Sequence, residues 1–179
     1  MQRRDGTPMT YWGTIPLPSQ CQTLAGLLAQ ADGSCVAWSQ LFDQALEVQG
    51  IDSASVVEVT ANPNIVPGAE QFLVKDWTFT GLGTSGNSDF PYIVGIDAMN
   101  EDGVPGQGNV EPPPAFENHF VVRFGGQIYD PSYGIGPFNS ENEHENAAID
   151  GFLTTDGFFD PRFLVRGNNL GVQELQYIG

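Results

Sequence analysis

The chain is poor in positive charge. Six Lys and Arg stand against 22 Asp and Glu, for a formal net charge of −16. DNA, RNA and anionic lipid are all held through basic side chains set against phosphate, so we expect no nucleic acid and no membrane among the partners. Cysteine is scarce as well. Cys21 and Cys35 are the whole complement, too few for the disulfide framework of a small secreted scaffold. A bridge between them would consume the better-placed thiol, and we read them as unbridged. No apolar run approaches the roughly 20 residues of a membrane-spanning helix. Met1-Gln2-Arg3-Arg4-Asp5-Gly6 is basic, but no apolar stretch follows it, so neither a Sec nor a twin-arginine signal is expected. We therefore expect a cytoplasmic protein, a piece of a larger one, or a protein exported by a non-Sec route.

The 179 residues fit one domain, with 40% hydrophobic and 11% aromatic content. That is enough to bury a single core, and it argues for a folded chain. The acidic surface favours neutral or basic partners, and a protein or peptide is expected.

Residues 1–19, with Pro8, Pro16 and Pro18, read as an extended arm anchored through Tyr11, Trp12 and Ile15. Ser19 is the expected cap of a helix through Ala31, with Leu24, Leu27 and Leu28 on one face. Asp32-Gly33 breaks it. A second helix is expected over about 34–49, capped by Asp32 or Ser34 and closed by Gly50 with Ile51 as its apolar contact. Its few charges suggest packing on more than one side. Strands are expected over 54–60, 71–79 and 92–96, the second with a bulge. Gly81 to Ser88 reads as a loop. Asp97 to Pro114, irregular and proline-rich, reads as a substrate-binding loop. Gly125-Gly126 is the strongest turn signal and predicts a hairpin between strands at 119–124 and 127–129. The acidic stretch 139–150 is expected to be partly helical, with His144 a solvated surface residue. Phe152 to Val165, with Phe158, Phe159 and Phe163, should return to the core, and an edge strand is expected over 172–178.

Three pieces carry chemistry. Gly33-Ser34-Cys35 opens a helix, Asn118-His119-Phe120-Val121-Val122 begins a strand, and Tyr129-Asp130-Pro131-Ser132 ends the next. A cysteine attacks a carbonyl as thiolate, so it needs a base and a site that favours an anion. A helix N-terminus supplies the second, and offers N–H groups to an oxyanion. An imidazole supplies the first, and a carboxylate on its other nitrogen fixes the tautomer. Cys35, His119 and Asp130 are the expected nucleophile, base and orienting acid. Gln30 and Gln107 are oxyanion candidates, Trp38 a cleft wall or a core residue, and Asn118 a substrate-side candidate. There is no phosphate-cradling glycine motif and no zinc spacing. Asp97, Asn100 and Asp102 miss the calcium-loop pattern, so no metal and no cofactor are expected.

These residues resemble the transglutaminase-like, papain-fold cysteine enzymes, in which a Gly-x-Cys opens a helix, a His opens a strand and an Asp follows on the next. The Cys helix is also similar to that of secreted bacterial effector peptidases. The resemblance implies an α+β papain-like fold with the Cys helix packed on an antiparallel sheet. It implies acyl chemistry on amide or peptide bonds through a thioester, as in a peptidase, amidase, deamidase or transglutaminase. The short interval from His119 to Asp130 implies a tight hairpin. The alternative is a non-catalytic binding or structural module on the same fold, which a Cys35 sealed away from any cleft would favour.

Overall fold

The computed structural model describes residues 1–14, 16–66, 68–74, 92–95, 104–113, 115–154, 162–165 and 173–179. Among them lie three α-helices and two five-stranded antiparallel sheets, a mixed α/β arrangement. No helix among the described residues is long and apolar enough to cross a membrane. Ile15, the 75–91 stretch with its expected bulge and loop, Asp97, Asn100, Asp102, Phe158 and Phe159 lie outside the described residues, as does the side chain of Phe163.

The sheet that matters for the site is ordered β12-β3-β7-β8-β9. Its members are β3 (Ser55–Ala61), β7 (Asn118–Phe124), β8 (Gln127–Asp130), β9 (Ile135–Phe138) and β12 (Leu175–Ile178). The β-branched run of β3 suits a pleated, half-buried surface, and Val57 and Val59 are fully buried. Between β7 and β8, Gly125 and Gly126 take φ of 59° and 79°. That is the left-handed pair a two-residue hairpin needs, because it matches the twist of the flanking strands. Phe124 then faces Gln127, Arg123 faces Ile128 and Val122 faces Tyr129. Leu175 to Ile178 pairs with β3 at the sheet's edge, as expected. The second sheet is ordered β5-β11-β10-β4-β6. It comprises β4 (Ala69–Val74), β5 (Tyr92–Gly95), β6 (Ala115–Phe116), β10 (Ile149–Thr154) and β11 (Arg162–Val165).

The helix α2 (Cys35–Val48) packs against β7 and β3. Ala37, Trp38 and Ser39 form its buried face. Ser39 Oγ donates to the Phe120 carbonyl at 2.8 Å, tying helix to strand. Its end follows the expected geometry: Gly50 N donates to Glu47 O and Ile51 N to Leu46 O, the two bonds of a Schellman motif. Between β9 and β10, α3 (Glu141–Ala148) is capped by Ser140, whose side chain accepts from Glu143 N. Glu145, fully buried in α3, accepts from the backbone N–H groups of Glu174 and Leu175 and so seats the start of β12.

One local expectation is corrected. The helix expected from Ser19 is split into a 3₁₀ turn (Ser19–Gln22) and α1 (Leu24–Gln30), and the cap of α1 is Thr23. The turn folds back over α1 at Gly26: a Cβ there would lie 1.6 Å from the Gln20 carbonyl oxygen. The N-terminal arm is anchored on the body through Tyr11, as expected. Thr10–Tyr11 (β1) pairs in parallel with Asp32–Gly33 (β2), and Met9 and Tyr11 are buried in the core.

In an exposed helix a Gly→Ala change gains about 1 kcal/mol. Gly26→Ala should reverse that sign and cost about 1–3 kcal/mol through overpacking against Gln20. Urea denaturation checks it; a stabilised variant would contradict the close approach.

Candidate active site

Cys35 opens α2 directly after β2. Asp32 does not cap this helix: the N-cap position falls at Ser34, and Asp32 Oδ1 instead accepts from the arm, from Thr10 Oγ1 at 3.0 Å and from Gly13 N at 2.8 Å. Ser34 holds the N-cap position, yet its hydroxyl makes no cap hydrogen bond. The N-terminal turn that carries Cys35 is therefore not closed by a side chain. Both cysteines are free, and Cys21 is buried beneath the turn. Burial, with the Asp32 carboxylate adding to it, pushes the Cys21 thiol up.

His119 and Asp130 come from the two arms of the Gly125-Gly126 hairpin. Continuing the register of the pair places Asp130 opposite Val121, so His119 stands on the diagonal, on the same face. Diagonal partners lie within reach of long side chains, and His119 Nε2 meets Asp130 Oδ2 at 2.7 Å. Both groups are buried, at 4% and 1% exposure. The other carboxylate oxygen is held by the turn after β8: Ser132 N donates to Oδ1 at 3.1 Å and Tyr133 N at 3.4 Å. Burial alone would lower the imidazole's affinity for a proton. The Asp130 charge and hydrogen bond overcome this, the Cys35 sulfur adds to them, and the His119 value rises to about 10. For Asp130, burial pushes upward but the His119 charge wins, holding the carboxyl well below its usual range. With Nε2 engaged by Asp130, Nδ1 is the remaining ring nitrogen; among the described residues it has no hydrogen-bond partner, and Cys35 is near enough to raise the ring's affinity for a proton.

Aromatic rings wall this cluster. The His119 ring lies 5.7 Å from Phe116 and 5.8 Å from Tyr133. Tyr11 packs between them, 6.4 Å from Phe116 and 5.3 Å from Tyr133. Burial raises both tyrosine hydroxyls well above the ordinary phenol range, so both keep their protons. Cys35 faces a groove of about 470 Å³ whose walls include Trp12, Gln22, Gln71, Glu117 and Asn118. Cys35 as a residue is 5% exposed, but it lines this groove and is not sealed from a cleft.

Of the other expected residues, Asn118 lines this groove, with its Nδ2 donating to Glu58 Oε1 at 2.8 Å. Gln30 does not: it is exposed at the far end of α1. Gln22, in the 3₁₀ turn before α1, is the glutamine of this segment that lines the groove. Gln107 is also elsewhere. Its backbone bridges Tyr11 N and Ser132 O, and its side chain crosses Gly134. Trp38 is a core residue at 1% exposure, with its indole N–H on the Thr10 carbonyl. The described part of the 97–114 loop straps the arm instead of lining the groove: Asn109 Nδ2 donates to the Tyr11 and Trp12 carbonyls at 3.0 and 2.8 Å. His144 is no surface residue. It is 1% exposed and its Nε2 lies 4.0 Å from Asp130 Oδ2. No sequence signal places Gln22, Gln71 or Trp12 at the groove, since each enters it from a separate segment. Among the described residues no cluster of His, Cys, Asp and Glu is placed to hold a metal.

The sign of the pair's pH dependence follows from the two shifts. His119 is raised, so its contribution to stability is full below about pH 6.5 and is lost as pH climbs toward about 10. Asp130 is lowered, so its contribution is present above about pH 4 and is lost on acidification. Asp130→Asn should therefore cost most between about pH 4 and 6.5, and the gap to wild type should narrow toward pH 10. Urea titrations at pH 5, 8 and 10 test this; a gap that stays flat with pH would contradict the assignment. Among known protein families, curated proteins and solved structures, none matches this chain.

Proposed function

We propose that the chain is a papain-like, transglutaminase-like cysteine enzyme acting on amide or peptide carbonyls through a thioester. One observation carries the reading. An imidazole tied through Nε2 to a buried carboxylate keeps its other nitrogen unpartnered among the described residues, and the cysteine that acts on that ring opens a helix and lines a groove. Cys35 attacks the carbonyl carbon as thiolate; a C–S bond forms while the carbonyl π pair moves to oxygen. The uncapped first turn of α2 offers N–H groups to that oxyanion, with Gln22 and Asn118 at the groove wall. Collapse breaks the C–N bond, and His119, protonated across neutral pH, passes its proton to the departing amine. Water or a primary amine, deprotonated by His119, then attacks the thioester and releases Cys35. Asp130 keeps the imidazolium oriented throughout.

The groove supports a peptide or protein substrate that is neutral or basic: Glu117 stands at its wall and Glu58 behind Asn118. The net charge of −16 argues against nucleic acid and anionic membrane. The open groove at Cys35 favours an enzyme over a non-catalytic module of the same fold.

Iodoacetamide at pH 6 should label Cys35 and spare buried Cys21. His119→Ala should slow that labelling by about 10²-fold or more, the equivalent of about two pKa units of thiolate stabilisation by the lost imidazolium. Equal rates in the two proteins would remove the proposal. Glutamine peptides, with and without a primary amine, then separate hydrolysis from acyl transfer.

A further inference from the structure

The carboxylate that orients His119 has a second imidazole neighbour. Asp130 Oδ1 is taken by two backbone N–H groups, so Oδ2 is the oxygen that faces both rings. It lies 2.7 Å from His119 Nε2 and 4.0 Å from His144 Nε2. His144 and Asp130 are each 1% exposed. Among the described residues His144 Nε2 has no hydrogen-bond partner.

The Tyr177 hydroxyl on the other side of the His144 ring is compatible with a proton on Nδ1. Tyr177 has one hydroxyl hydrogen and donates it to the Glu141 carbonyl at 3.1 Å. Its oxygen then accepts from His144 Nδ1, 2.7 Å away. A neutral His144 with its proton on Nδ1 aims the bare Nε2 lone pair at Asp130 Oδ2. Two acceptors 4.0 Å apart do not bond to each other, but one water molecule with two donors joins them. The gap opens on a cavity of about 190 Å³ lined by both groups and by Val59, Val104 and Ile149. That is ample room for a water. The groups facing His144 are the Asp130–His119 pair, the Tyr177 hydroxyl and the Phe138 ring at 5.3 Å. Glu145, next to it on α3, is engaged by the N–H groups of Glu174 and Leu175.

We propose that His144 is a positioning residue, holding Asp130 on the His119 side through one water that donates to His144 Nε2 and to Asp130 Oδ2. The water satisfies the second lone pair of Oδ2, which would otherwise sit bare in an apolar cavity and draw the carboxylate away from His119. This role rests on the reading of Cys35 and His119 as the reacting pair, but its first readouts do not depend on the sulfur.

The test uses the full chain. Ring ¹⁵N spectra of wild type at pH 8 should show His144 protonated on Nδ1 alone. The deshielded Nε2 proton of His119 reports its bond to Asp130. In His144→Phe, which keeps the ring volume, that signal should broaden or move upfield, and Cys35 labelling at pH 6 should fall about tenfold, the equivalent of one pH unit in the His119–Asp130 coupling. His144→Gln, whose amide reaches the same water, should restore most of both. A purely structural His144 would lower the melting temperature and leave the His119 signal where it was. An unchanged signal in a folded His144→Phe, or a wild-type His144 carrying its proton on Nε2, overturns the proposal. If His144→Phe does not fold, the wild-type spectrum and His144→Gln decide alone. A His119 signal that responds while wild-type Cys35 stays unlabelled upholds the positioning role and sinks the enzyme reading instead.

Discussion

A carboxylate and an imidazole taken together out of water impose the main constraint on this fold. Each loses its hydration, and their attraction repays that loss only when the remaining lone pairs and protons are satisfied. Asp130 meets the condition from three sides: the His119 ring, the two N–H groups of the Ser132 turn, and the neighbourhood of His144. The glycine pair at 125–126 matters for the same reason. It sets the hairpin register, and a slip of one residue would turn either His119 or Asp130 to the opposite face of the sheet.

The arm that begins the chain is part of this arrangement. Asp32, three residues before Cys35, spends its Oδ1 on Thr10 and Gly13. Tyr11 packs against Phe116 and Tyr133, the two rings that flank His119. Asn109 then clamps the arm from above through the Tyr11 and Trp12 carbonyls. The position of the sulfur relative to the imidazole thus depends on contacts among segments nearly a hundred residues apart in sequence. Segments of such low local order are held by tertiary packing, since a two-residue parallel pair such as β1–β2 has little stability of its own.

The elements readable in advance are those whose cause is local. The end of α2 follows from Gly50 and Ile51, and the hairpin from two adjacent glycines. The acidic stretch expected to be partly helical holds α3, begun by Ser140 and Glu143. The expectations that fail depend on what lies across the molecule. Ser19 looks like a helix cap, but Thr23 performs that role because the turn before it must clear Gly26. His144 sits among glutamates and reads as solvated, yet its face of α3 turns inward onto Asp130 and Tyr177. Gln30 is closer to Cys35 in sequence than Gln22, and farther from the groove in space.

Residue types and their order determined by themselves that a thiol would open a helix, that an imidazole and a carboxylate would ride on adjoining strands, and that the surface would be strongly acidic. Those properties are set within one turn, one hairpin or the bulk composition. Which glutamines line the groove, what covers the imidazole and what stands behind the carboxylate were decided only by tertiary structure. Each depends on the packing of elements far apart in the chain, where burial and the need to satisfy every buried polar group override local preference.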